Sequence, residues 1–198
     1  MKNAFFLFSL ITISIVAKSQ ISKGNWLVGG SGSLYSYNED YQTTPPVNSV
    51  QYKYLNVDIS ASIGYFLLDK IVLGLRPAFS WFKGKGVSFT GNASGGSTDN
   101  KRYQIGPFGR YYFLKKDKEF NIVGDISYQY GVVDLNDPSN GHLNTFTISA
   151  GPVLYFNSSV GLEILLGYSS RNEFYGDNKD YRKGFLTSIG LQIDLEKK

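Results

Sequence analysis

Five charged residues stand inside otherwise apolar stretches of this chain: Asp58, Arg76, Arg110, Asp125 and Glu163. Carboxylates held close together can divide the acid, base and nucleophile roles of glycoside hydrolysis. Charges lining a channel can select ions. Guanidiniums, with five donors in a fixed fork, can instead satisfy carboxylates in a confined space where a lone charge would be costly. The single histidine, His142, adds a fourth option, a Ser–His–acid arrangement. It lies in "DPSNGHLNTF", with Ser139 beside it and Thr145 and Ser149 further along. No hydrolase nucleophile motif accompanies it, and "GGSGS" at 29–33 lacks the Lys and helix of a phosphate loop. With no Cys and one His, there is no disulfide framework and little scope for zinc, so no metal or cofactor is expected.

What these groups can do depends on the elements that hold them. The first residues, "MKNAFFLFSLITISIVAKSQ", combine Lys2, an apolar run from Ala4 to Ala17 and small residues at Ala17 and Ser19. This is the pattern of a secretory signal peptide over 1–19, with the following domain spanning 20–198. The run is short for a membrane anchor. Removing Lys2 and Lys18 lowers the formal charge from +4 to +2, so the basic balance is no argument for nucleic acid.

Past the signal, apolar residues recur with period two, the mark of strands with one apolar face. Eight strands are expected, near 24–36, 54–67, 70–83, 101–113, 120–131, 143–156, 160–171 and 184–195. Connections at 68–70, 114–119 and 157–159 are short, whereas those at 37–53, 84–100, 132–142 and 172–183 are long and rich in Gly, Asn, Asp, Ser and Pro. Short and long alternate, so in an antiparallel array all short turns gather at the end that carries both termini. That sorting is expected of an eight-stranded antiparallel up-and-down transmembrane β-barrel.

The sense of the faces follows from volume. An interior of eight strands is narrow. It has no room for Trp26, Tyr65, Phe79, Trp81, Tyr111, Phe156 and the many branched residues of the apolar face, as a lipocalin-like soluble barrel would require. The other face carries Asn56, Ser60, Ser62, Gly74, Ser80, Gln104, Ser127, Thr147, Gly167 and Gln192. Small and polar side chains are therefore expected inside, with apolar ones toward lipid. Aromatics gather at both ends of the outward face. Trp26, Tyr65, Tyr111 and Phe156 form one girdle, and Phe79, Trp81 and Tyr168 the other.

Counted from the short turns, Glu163, Arg110, Arg76 and Asp125 lie about five to eight residues in, with Asp58 nearer the long connections. A shared interior network of Asp58, Arg76, Arg110, Asp125 and Glu163 is the expectation. A narrow pore lined by the same charges is the alternative, and a membrane hydrolase using His142 a weaker one, since Thr145 and Ser149 have inward parity. Recognition of a surface ligand, such as a polysaccharide or peptide, would fall to the long connections, among them 37–53 with Pro45–Pro46 and 171–183, "RNEFYGDNKDYRK".

"YLNVDISASIGYFLLDKIVLGLRP", "YQIGPFGRYYF", "FTISAGPVLYFNSSVGLEILLGYS" and "SIGLQIDL" together resemble the small outer-membrane β-barrel domain proteins common in Bacteroidota, within the broad group of eight-stranded OmpA- and OmpX-like barrels. The resemblance covers 20–198. It implies insertion by the barrel assembly machinery, residence among outer-membrane lipid and lipopolysaccharide, periplasmic termini and extracellular long loops. It carries no catalytic residue onto this chain. A monomeric, non-enzymatic barrel is expected, with a structural or surface-interaction role.

Overall fold

The computed structural model describes residues 21–43, 48–88, 97–115, 119–134, 141–157, 159–176 and 178–196. The expected signal peptide, Pro45–Pro46, Ser139 and residues 89–96 of the long connection expected at 84–100 lie outside the described residues. Period-two alternation becomes eight strands: β1 (Trp26–Thr43), β2 (Asn48–Leu68), β3 (Ile71–Ser88), β4 (Ser97–Tyr112), β5 (Phe120–Asp134), β6 (Gly141–Tyr155), β7 (Val160–Tyr175) and β8 (Asn178–Leu195). Each pairs antiparallel with its neighbours in sequence, and β1 pairs with β8, so the sheet closes into an up-and-down barrel.

The register fixes the shape. A row of paired residues runs Trp26, Tyr65, Leu73, Gly109, Ile126, Ile148, Tyr168, Phe185. In the register of the closing pair, Phe185 falls level with Ser36, so one circuit climbs from Trp26 to Ser36. Eight strands with that stagger tilt by about 40°, and each residue then rises about 2.5 Å along the barrel axis.

The short connections are as tight as their sequence implies. Between β2 and β3 the chain turns through Asp69 and Lys70, with Lys70 at φ 68°. The Lys23 amide donates to the Asp69 carboxylate (2.9 Å) and the Lys70 amide to the Ile21 carbonyl (3.2 Å), tying the start of the chain to this turn. The other end differs from expectation. Much of the predicted loop at 37–53 is strand, paired from Tyr37↔Tyr54 to Thr43↔Asn48. The predicted loop at 172–183 is a continuation of β7 and β8 to Tyr175↔Asn178. Beyond the apolar band nothing forces hydrophobic alternation, so the pattern fades while the backbone ladder continues. Side-chain stacking supports these extensions, with Tyr54 against Phe82 at 5.5 Å and against Tyr52 at 6.1 Å.

Inward glycines permit the close approach of tilted strands. A Cβ on Gly106 would lie 1.9 Å from the Tyr128 carbonyl oxygen, and one on Gly74 would lie 2.1 Å from that of Ile63 and 2.7 Å from the Phe108 ring. The Gly106 clash is with backbone and has no side chain to rotate away. Gly106→Ala is therefore expected to abolish the compact form. On cold gel electrophoresis the variant should migrate as the boiled protein does, while wild type migrates faster unheated.

Candidate functional site

The outward face is apolar and exposed around the whole barrel. Ile63, Leu75, Ile105, Ile126, Ile148, Leu166 and Leu191 all stand out from the wall. Aromatic residues bound this band on both sides. At the short-turn end, Trp26 meets Tyr65 edge-on at 5.2 Å and Tyr111 meets Phe113 at 5.0 Å, with Phe156 exposed beside them. At the other end, Phe79 packs on Tyr103 and Tyr168 on Phe185, while the Trp81 indole donates to Asp99 (2.8 Å). With the stagger above, Trp81 stands about 25 Å higher than Trp26.

The inward face brings four of the five singled-out charges into direct contact. β3 carries Arg76 inward, and its fork is bidentate on Asp125 of β5, at 2.6 and 2.8 Å. The Arg76 Nε donates to Ser62 (2.9 Å), and its guanidinium lies 4.5 Å over the Phe108 ring. Arg110 of β4 donates through Nε to Asp125 (3.0 Å), through both terminal nitrogens to Glu163 of β7 (2.6 and 3.3 Å), and to Gln192 (3.0 Å). Asp125 thus bridges two guanidiniums, and two positive charges face two negative ones. Its side chain is 1% exposed and that of Arg110 2%. Fully paired charges are the form in which such burial is tolerated.

Asp58 is the exception to the expected network. Its carboxylate accepts from Ser33 (3.2 Å) and from Asn56, not from Arg76 or Arg110. The register explains this: Asp58 sits opposite Ser80, while Arg76 sits four positions nearer the short-turn end. The tilt recovers only about 3 Å of those four positions, so Asp58 belongs to a higher layer.

Two features escaped the sequence reading. Higher in the interior, Arg102 donates to Glu173 at 2.8 and 3.3 Å, and both are buried. Arg102 shares inward parity with Gln104 and Arg110, a signal open to view, but Glu173 lay in a segment read as loop. Tyr175, on the hairpin above the upper girdle, also donates to Glu173. Burial first, then that bond, pushes its phenol up to about 12, so it stays a donor at neutral pH. Near the short turns the interior adds large apolar side chains to polar ones such as Asn121, Gln192 and Asp194. Leu27, Phe66, Val72, Phe108, Tyr112, Val123 and Val153 are buried there, with Phe66 and Tyr112 rings 5.8 Å apart. Large side chains close the floor, and the one carboxylate buried among the described floor residues, Asp194, accepts from Gln192 (3.3 Å).

Above that floor lies a cavity of about 610 Å³, lined by Ser31, Ser60, Arg76, Gln104, Thr145 and Arg171 among others. His142 is not part of it. It lies within β6 rather than before it, faces outward, and stacks on Phe174 at 4.9 Å. Thr145 and Ser149 are buried on the opposite face, and Thr145 donates to Gln104 (2.7 Å). Neither of these two hydroxyls is on the face of the imidazole, whose ring neighbours are Tyr130 and Phe174. Nor do the described residues bring three His, Asp or Glu together as metal ligands.

The bridging role of Asp125 sets a testable cost. Asp125→Ala leaves Arg76 and Arg110 with a single carboxylate between them and should destabilise the barrel by about 3–5 kcal/mol. Asp58→Ala, losing neutral partners only, should cost about 1 kcal/mol. Urea unfolding of the lipid-reconstituted protein, followed by tryptophan fluorescence, measures both. Equal losses would contradict the layered interior.

No family model matches the sequence, and no curated protein matches it. Solved structures do. Neisserial surface protein A superposes with a TM-score of 0.53 at 13% identity, covering 85% of this chain and 96% of that one. The outer-membrane protein OprG of Pseudomonas aeruginosa matches with a TM-score of 0.47 at 12% identity, covering 89% and 98%. The N-terminal barrel domain of OprF from the same organism matches at 0.42 and 12%, covering 87% and 98%. At such identities the likeness concerns the fold: this chain is a closed eight-stranded antiparallel barrel, and its structural neighbours are small outer-membrane barrels.

Proposed function

We propose that this chain is an integral, non-enzymatic β-barrel of a bacterial outer membrane, with its short turns and termini periplasmic and its extended hairpins outside. The observation that carries this reading is the exposed belt of Ile, Leu and Val between two aromatic girdles. Monomeric soluble proteins rarely expose apolar patches beyond a few hundred Å². A belt about 25 Å tall matches the apolar band of transmembrane barrels. Outer-membrane lipid and lipopolysaccharide are the proposed surroundings, and the barrel assembly machinery the proposed insertion partner.

The interior favours a plugged wall over a conducting pore. The Arg76–Asp125–Arg110–Glu163 cluster spans β3, β5, β4 and β7, and the apolar floor lies beneath it. What is left to recognition is the outer end, where hairpins β1–β2 and β7–β8 present Tyr52, Tyr54, Tyr181 and Arg182. A structural or surface-interaction role follows, with a monomer as the working unit.

Two measurements test this reading. The protein should float with phosphatidylethanolamine vesicles and resist alkaline extraction. Full solubility without detergent would overturn it. In planar bilayers it should show no steady conductance at any voltage up to 100 mV. Reproducible channels altered by Arg76→Ala would establish the pore instead.

A further inference from the structure

The seam that closes the barrel is only half zipped. β1 and β8 pair from Trp26↔Leu195 to Gly32↔Ile189. Both strands continue upward, β1 held by β2 as far as Thr43 and β8 held by β7 from Asn178. The same register would set Ser33 against Ser188 and Leu34 against Thr187. Among the described residues, however, no pair joins the two strands above Gly32 and Ile189. Burial follows the same line. Each residue of β8 from Tyr181 to Phe185 is exposed, inward and outward positions alike, and Phe185 is 93% exposed.

The opening lies in the apolar band, not above it. It begins about 17 Å above Trp26 and reaches the level of the upper girdle about 5 Å higher. The interior cavity extends to it, for its lining passes from Ser31, Ser60 and Ser188 to Leu34, Leu186 and Phe185. The ion cluster and Phe108 close the cavity below. A polar chamber therefore communicates sideways with the surface that meets hydrocarbon. Strand edges facing hydrocarbon need hydrogen-bond partners. The occupant of this opening must then be polar toward the chamber and apolar outside.

We propose that the β1/β8 opening is a binding port for a single-chain anionic amphiphile drawn from the surrounding bilayer. Its head sits in the mouth of the chamber, where its polar atoms meet the unpaired edges of β1 and β8, and its alkyl chain runs outward over Leu34 and Phe185. The head's acceptors meet the serine hydroxyls and Arg171, whose buried Nε has no hydrogen-bond partner and which lines the same chamber. A second copy adding a strand would cover the edges but leave that donor unused, which favours the amphiphile. The proposal rests on the membrane-barrel reading.

The chain has no cysteine, so a reversible lock can be built cleanly. Leu34→Cys with Thr187→Cys places thiols at in-register outward positions, and oxidation would draw the seam shut. Wild type and the double variant, full length in nanodiscs of phosphatidylethanolamine and phosphatidylglycerol, are titrated with dodecanoate and examined by native mass spectrometry. One retained dodecanoate is expected for wild type and for the reduced variant, with at least tenfold lower occupancy after oxidation and recovery on reduction. Ser188→Trp, which fills the mouth without a crosslink, should lower occupancy similarly, and Arg171→Leu should weaken retention. Undiminished binding in both the oxidised and Ser188→Trp forms would overturn the port, as would the absence of any adduct in wild type or a seam buried between two copies. Failure to enter nanodiscs or to float would instead overturn the membrane reading itself.

Discussion

A sheet in apolar surroundings has to pair every backbone N–H and C=O with itself, and closure is how β-structure meets that demand. The rest of this molecule follows from closing on only eight strands. The stagger from Trp26 to Ser36 sets the tilt, and the tilt with the strand number sets a narrow bore. Narrowness dictates what stands inside. Gly74 and Gly106 allow strands to approach where a Cβ would collide with a neighbouring carbonyl. Phe66, Phe108 and Tyr112 fill the floor, and above it Arg76, Arg110, Asp125 and Glu163 pair with one another.

Asp125 carries most of that last requirement. Its two oxygens accept from two guanidiniums on different strands, so one carboxylate links β3, β4 and β5, and Arg110 extends the link to β7 through Glu163. Such a cluster contributes little net stability compared with an apolar filling of equal volume. Its consequence is specificity: a slip of one residue in any of these strands would turn a charge outward into the apolar band.

Much of this was legible in the sequence, because the signal was parity. Alternation in "YLNVDISASIGYFLL" and "IVLGLRPAFSWF" distinguishes the inward from the outward side of β2 and β3, and the aromatic clustering marks both edges of the band. Parity does not give height around a tilted barrel. Asp58 shares a face with the Arg76 cluster but sits in a higher layer with Ser33 and Asn56. Nor does alternation persist where neither lipid nor core rewards it, which is why the ends of β1, β2, β7 and β8 read as loops and why Glu173, the partner of Arg102, was missed. The unpaired half of the β1/β8 seam has no local sequence mark at all, since it concerns two strands at opposite ends of the chain.

The central claim is that the apolar face of this wall meets lipid and the charged face does not. The chain's two tryptophans test it directly, since Trp26 and Trp81 lie in opposite girdles. Trp26→Phe and Trp81→Phe each leave one reporter, which is reconstituted in phosphatidylcholine brominated at different depths along the acyl chain. Both reporters should be quenched, most strongly by bromine near the headgroup and least by bromine at the bilayer centre. Tryptophans untouched by brominated lipid but open to aqueous iodide would contradict the account.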